Sequence, residues 1–187
     1  MNKIAIFASG GGSNAENIIK FFYNSKKVKI ALIACNCPNA KVLKKASKYD
    51  VETFLFNKKD LLANRVLEKL NEKKITFIIL AGFLLKIPIK IINRFPNKII
   101  NIHPSLLPLY GGRGMYGMHV HNAVAEAKDL ESGITIHYVN AIYDNGAIIF
   151  QAKCSLYKNI LPKDIQKKVH KLELKFFPRI INNLLDG

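Results

Sequence analysis

A chain of 187 residues that is 49% hydrophobic is long enough for one well-packed α/β domain and short for two. Its 29 Lys and Arg against 13 Asp and Glu give a formal charge of +16, a bias toward phosphates and other polyanions that by itself defines no site. No apolar run reaches the roughly 20 residues of a membrane span, and Met1-Asn2-Lys3 leads into a strand pattern without a signal peptide. With three cysteines and hence no disulfide framework, a soluble cytoplasmic protein with free thiols is expected.

Lys3 to Ala8 predicts a short buried strand, followed by Ser9-Gly10-Gly11-Gly12-Ser13-Asn14 and a helical pattern through Ile18, Ile19 and Phe22. Ser13 and Glu16 have the spacing of a capping box, which would account for Ser13 with no ligand. Capping does not need three glycines, however. Successive glycines let backbone N–H groups approach an anion, and a helix amino end adds partial positive charge, so the loop suits a phosphate although it matches neither G-x-G-x-x-G nor the Walker pattern. Val28 to Ala34 is a second strand. Cys35 and Cys37 beyond it have no second ligand pair at zinc-like spacing and are read as strand-end packing.

A helix over Ala40 to Tyr49, a strand over Val51 to Phe56, one helix over Asp60 to Leu70 and a strand over Ile75 to Leu80 follow. Strands separated by helices imply right-handed crossovers and a parallel sheet. The lysine pairs Lys26-Lys27, Lys44-Lys45, Lys58-Lys59 and Lys73-Lys74 are spread over loops and helix ends. They describe either a solvated surface with no specific partner or one that steers an anionic ligand.

After Ala81-Gly82 come an apolar segment, Phe83 to Pro88, a short helix, and a strand over Ile99 to His103. Alternation puts Asn101 and His103 on one face, with Ile100 and Ile102 on the other. Pro104 stops the ladder, so the imidazole stands at a strand's carboxyl end, where open α/β sheets bind ligands; an isolated Asn and His near a turn also occur by chance. Gly111 to Gly117 is too glycine-rich for regular structure and is either a mobile flap or a plain connection. A helix from about His119 to Lys128, a strand over Gly133 to Val139, the turn Asp144-Asn145-Gly146 and a strand over Ala147 to Ala152 come next, the last two strands pairing antiparallel. Pro162 to Leu185 is a long terminal helix containing Pro178. Glu173 lies within its apolar stripe, where a carboxylate needs either a partner or a route to water. The expected fold is α/β: a single Rossmann-like domain with a mostly parallel sheet, helices on both faces, an antiparallel edge and a long C-terminal helix.

S-G-G-G-S-N, A-G-F at Ala81 to Phe83, N-I-H-P-S-L-L-P at Asn101 to Pro108, and the segment holding His137 and Asp144 follow one another at consistent spacing. From Lys3 to about Ile181 the chain thereby resembles the phosphoribosylglycinamide formyltransferases of the formyl-folate transferase group. The resemblance implies transfer of a formyl group from 10-formyltetrahydrofolate to the amine of 5-phosphoribosylglycinamide in de novo purine biosynthesis. Asn101, His103 and Asp144 match the family's catalytic trio, and Gly11, Gly12, Ser13 and Asn14 its phosphate-binding loop. Glu173 matches the carboxylate that contacts the ribose. Leu84, Leu85, Lys86 and Ile87, with Asn101, Asn140, Ala141, Ile142 and Tyr143, match the walls of the folate pocket. Leu84-Leu85 replaces the Met-Arg of many relatives, which leaves Lys86 and the loosely aligned Lys59 as cations for the folate tail. The Gly111–Gly117 loop is longer than in many relatives.

The residue types suit that chemistry on independent grounds. Amine attack on a formyl carbon builds charge on oxygen, to which the Asn101 amide can donate. Imidazole exchanges protons near neutral pH, so His103 suits protonation of the leaving nitrogen, with Asp144 placed to favour its charged form and to take the amine's proton away. No metal is implied. His137 either orients the Asp144 loop or is a core imidazole; His119 and His121 carry no assigned role. The expected division is a phosphate-binding half, about 1–98, and a folate and catalytic half, about 99–187. The expected partners are the phosphorylated ribonucleotide and folate, with no nucleic acid and no membrane, the chain acting as a monomer or homodimer. Three alternatives compete. A formyltransferase acting on methionyl-tRNA would carry a further carboxyl-terminal domain, and a formyl-folate hydrolase a further amino-terminal one. A catalytically silent, basic nucleotide or nucleic-acid binder would show a basic stripe interleaved with aromatics, which is not present.

Overall fold

The architecture, seen in a computed structural model that describes residues 1–186, is a seven-stranded sheet in the order β3-β2-β1-β4-β5-β6-β7. Its strands are β1 (Asn2–Ala8), β2 (Val28–Cys35), β3 (Thr53–Leu55), β4 (Phe77–Leu80), β5 (Ile99–His103), β6 (Glu131–Tyr138) and β7 (Ile148–Ser155). The first five run parallel, whereas β6 is antiparallel to β5 as well as to β7, so the antiparallel edge is wider than the expected pairing of the last two strands.

Alternation along the strands divides the core into two layers. Ile4, Ile6, Ile33, Ile79, Ile100 and Ile102 face one side. There they meet α1 (Ser13–Phe22), α2 (Lys41–Ser47), α6 (Met118–Glu126) and α7 (Pro162–Asp186). Ala5, Phe7, Leu32, Ile78, Leu80 and Ile99 face the other side, covered by α3 (Lys58–Leu62), α4 (Arg65–Glu72) and α5 (Ile89–Arg94). Strands covered on both faces read as continuous apolar runs, as Phe77–Leu80 does. The long helix α7 runs through Pro178, which is buried. Among the described residues no helix is long and apolar enough to cross a membrane.

Two local expectations are corrected. The apolar pattern over Asp60 to Leu70 is two helices, not one, because Ala63 is extended (φ −77°, ψ −172°). The first of them starts early, on a reciprocal cap in which Asp60 N–H donates to Asn57 Oδ1 at 3.0 Å and Asn57 N–H to Asp60 Oδ2 at 2.9 Å. It ends where the Lys90 ammonium donates to the carbonyls of Leu62 and Ala63, satisfying groups that a continuing helix would have used. The capping box of Ser13 and Glu16 does not form either. The N-cap is Gly12, with no side-chain cap, and Glu16 pairs instead with Lys45 at 2.8 Å and Lys20 at 3.4 Å. The hydrogen bond from Lys45 holds the Glu16 carboxyl below its usual range.

Candidate active site

Chain direction brings the carboxyl ends of β1, β4 and β5 to one rim, where a cavity of about 830 Å³ opens. It is lined by Gly10 to Asn14, Ala81 to Leu84, Asn101 to Pro104 and Gly112 to Gly117, by His121, Tyr143 and Asp144, and by Gln166, Lys167, Val169, His170 and Glu173 of α7. A smaller apolar slot shares Phe83, Asn101, Tyr143 and Asp144 with it. Its walls are Leu80, Leu85, Lys86, Ile87, Val139, Asn140 and Ile142, and His137 also lines it.

The antiparallel pairing of β5 with β6 sets the chemistry at the rim, because Asn101 lies opposite His137 and His103 opposite Thr135. His137 Nδ1 is 2.9 Å from the Tyr138 carbonyl, which can only accept, so Nδ1 carries the proton. Nε2 therefore accepts from Asn101 Nδ2 at 3.1 Å. This fixes which end of the Asn101 amide is nitrogen and leaves its second N–H free for a ligand oxygen. Burial pushes the His137 pKa down, in keeping with a neutral ring. His103 Nε2 donates to the Tyr110 carbonyl at 2.7 Å, and its Nδ1 stands 3.6 Å from Asp144 Oδ2. Asp144, in the left-handed region at φ 51°, accepts from Gly112 N–H at 2.9 Å and also lies 3.7 Å from His137 Nε2.

The segment after His103 is fastened from the two antiparallel strands. Thr135 Oγ1 donates to the Ser105 carbonyl at 2.7 Å and accepts from Leu107 N–H at 2.9 Å, while Gln151 Nε2 donates to the Leu107 carbonyl at 2.9 Å. Ser105 Oγ donates to the Leu109 carbonyl at 2.6 Å, closing the turn on itself.

The glycine loop is held as firmly. Gly12 adopts φ 68°, and a Cβ there would stand 2.6 Å from Val42 Cβ, so glycine is required on both counts. Ser9 Oγ donates to Asn36 Oδ1 at 2.6 Å and accepts from Leu84 N–H at 3.0 Å, tying this loop to the segment that walls both cavities. Glu173 has partners after all, since its Oε2 accepts from Asn14 Nδ2 and from His170 Nδ1, both at 2.9 Å. That hydrogen bond raises the His170 pKa. Asn14 Oδ1 and His121 Nδ1 are buried beside it with no partner among the described residues, and burial lowers the His121 pKa.

Of the residues singled out in the sequence, the structure gathers Gly11, Gly12, Ser13, Asn14, Leu84, Asn101, His103, Asp144 and Glu173 around the larger cavity, and Leu85, Lys86, Ile87, Asn140, Ile142 and Tyr143 around the slot. The Lys86 ammonium lies 5.6 Å from the Tyr143 ring centre. Lys59 and Ala141 line neither. Ser9 belongs to the S-G-G-G-S-N motif without a role of its own there, and Thr135, His170 and the Tyr110 carbonyl carry no motif that would single them out. Cross-strand register and the i, i+3 spacing of His170 and Glu173 were the only signals available. Among the described residues no group of three or more His, Cys, Asp or Glu is placed to hold a metal ion.

A rim of this kind, with a glycine loop at a helix amino end, an oriented amide and an imidazole facing a carboxylate, has the parts of an acyl-transfer site on a doubly wound sheet. The formyl transferase family matches residues 2–181, and the chain belongs to it. It is 35% identical over 191 residues to the phosphoribosylglycinamide formyltransferase of Bacillus subtilis (strain 168), covering 99% of this chain and 95% of that one. Identity to the chloroplastic phosphoribosylglycinamide formyltransferase of Arabidopsis thaliana is 33% over 191 residues and 98% of this chain, which spans 65% of the plant protein's length. The crystal structure of glycinamide ribonucleotide transformylase 1 from Geobacillus kaustophilus superposes with a TM-score of 0.90 at 30% identity, covering 99% of each chain.

Proposed function

We propose that the chain is a cytoplasmic enzyme of purine biosynthesis that moves a formyl group to the amine of 5-phosphoribosylglycinamide. 10-Formyltetrahydrofolate, when bound, supplies a formyl carbon whose oxygen gains negative charge as the amine adds. The free N–H of Asn101 donates to that oxygen, with its orientation held by His137. His103 supplies the proton that the departing nitrogen needs, and Asp144 stabilises the charged imidazole and receives the proton shed by the amine. Gly11, Gly12, Ser13 and Asn14 hold the substrate phosphate, since Ser13 is not spent as a cap and the N–H groups of the first turn of α1 point out of the helix end. Glu173 accepts from the ribose.

The slot suits the flat ring of a folate, since its apolar walls, Leu80, Phe83, Leu85, Ile87, Val139 and Ile142, are joined by the polar groups of Asn101, His137, Asn140 and Asp144. Lys86, already beside the slot, meets the folate tail; Lys59 would have to reach it from outside. The amino half, about 1–98, then carries the phosphate and the carboxyl half, about 99–187, the folate and the chemistry, with Leu84 to Ile87 and Glu173 crossing that division.

The observation that carries this reading is the approach of His103 Nδ1 to within 3.6 Å of Asp144 Oδ2 beside an oriented Asn101, in the same cavity as the glycine loop. It is tested by incubation with 10-formyltetrahydrofolate and 5-phosphoribosylglycinamide, followed by the absorbance of deformylated folate, with methionyl-tRNA as competing acceptor. Deformylation that depends on the ribonucleotide is expected. Deformylation that requires the tRNA, or proceeds without either acceptor, would contradict it.

A further inference from the structure

Arg113, at the centre of the Gly111–Gly117 segment, lines the same cavity as the Gly10–Asn14 loop. The chain has four arginines, and two of them are committed elsewhere: Arg65 to Asp60 at 3.1 Å and to the face of Phe54, Arg94 to the face of Phe95. Among the described residues Arg113 has no carboxylate within ion-pair distance.

The charge around the cavity makes that isolation informative. Its fixed charges are the cations Arg113 and Lys167 and the carboxylates Asp144 and Glu173. Lys167 is held by Asp164 at 3.0 Å, Lys45 behind the glycine loop is held by Glu16 at 2.8 Å, and any charge on His170 is matched by Glu173. A phosphate monoester brings about 1.5 to 2 negative charges at neutral pH, whereas the helix end beneath the glycine loop offers only about half a positive charge. A full cation is missing from the cradle, and of the two lining cations Arg113 is the one with no carboxylate partner among the described residues.

The backbone on either side of Arg113 also has open space around it. Gly112 and Gly114, on either side of Arg113, adopt φ 98° and 88°, and a Cβ at either would meet nothing within 4 Å, so neither is wedged against a neighbour. We propose that Arg113 is a substrate-binding residue whose guanidinium closes over the phosphate from the side opposite the glycine loop, a proposal that rests on the reading of a phosphorylated substrate given above. The guanidinium fork presents paired donors to phosphate oxygens where an ammonium presents a single point charge.

The test compares the wild type with Arg113→Ala and Arg113→Lys on three reactants: the phosphorylated ribonucleotide, the same ribonucleoside without its phosphate, and the folate. A lost charge-assisted hydrogen bond weakens binding by roughly 10- to 100-fold, so Arg113→Ala should raise KM for the ribonucleotide by about that factor and Arg113→Lys by less. KM for the folate and for the dephosphorylated acceptor should not move. An equal rise for the dephosphorylated acceptor, or a rise confined to the folate, would overturn the proposal and reassign Arg113 to the sugar or to the folate tail. Calorimetric titration with ribose 5-phosphate needs no turnover and separates this proposal from the reaction. Weaker binding by Arg113→Ala supports the clamp even if no formyl transfer is found, and equal binding overturns it even if transfer is fast.

Discussion

Two glycine-rich loops meet at one rim of the sheet and are packed differently at their left-handed glycines. In the Gly10–Asn14 loop, Gly12 is pressed against Val42, and Ser9 is hydrogen-bonded on both sides. In the Gly111–Gly117 loop, Gly112, Gly114 and Gly117 also have positive φ, yet a Cβ at any of them would meet open space. A left-handed glycine therefore serves close packing in the first loop and an open backbone in the second, whose packed glycine is Gly111, beside Leu107. The fixed loop sits beside the oriented donors Asn101 and His103, and the open one lines the cavity from Gly112 to Gly117 and is hydrogen-bonded to Asp144 through the Gly112 N–H. Fixed donors are what stabilisation of a developing charge requires, and a loosely packed cover is what entry and exit of a substrate require.

The contrast can be broken or sharpened by substitution. The largest effect is expected on the fixed side: His103→Ala should lower kcat by about 10² to 10⁴, the usual contribution of a positioned acid, with little change in melting temperature. A kcat within a few-fold of wild type would remove His103 from the proton path. Next, Gly12→Ala must place a Cβ in the left-handed region and against Val42, so a loss of about 2–4 kcal/mol is expected in denaturant unfolding. Gly114→Ala meets only the backbone term, about 1–2 kcal/mol. Equal losses at the two positions would erase the distinction between the loops. Ser9→Ala leaves Leu84 N–H without its partner and should cost about 1–3 kcal/mol, together with a small rise in the KM for folate.

The smallest effect is a pH dependence. Glu173 raises the His170 pKa above that of the unfolded chain, so the stability it contributes is complete below about pH 6.5 and fades as pH rises through the folded-state value. His170→Gln should flatten that part of the melting-temperature profile, and an unchanged profile would show that the pair contributes nothing.

Much of this was legible in the residue order. The strand Ile99–His103 and the parallel succession of strands follow from apolar runs and helical spacing, and the carboxyl-end position of His103 follows from Pro104. What was not legible depended on contacts distant in sequence. The break at Ala63 is set in part by Lys90, which lies on another helix and supplies the donors that end α3. The Ser13–Glu16 spacing was present, but Lys45, from α2, took the carboxylate away from its cap. The orientation of Asn101 depends on His137, 36 residues later, through a strand pairing that local pattern does not specify. His170 has no sequence signal beyond its i, i+3 spacing to Glu173, and that spacing becomes a hydrogen bond only once α7 is formed.

The central claim is that the Asn101 N–H left free by His137 stabilises charge developing on the transferred group. It is tested most directly by single-turnover kinetics of Asn101→Ala with both substrates saturating. The account predicts a rate about 10² to 10³ lower than wild type with substrate affinities nearly unchanged. A rate within a few-fold of wild type, or a loss that appears wholly as weakened binding, would contradict it.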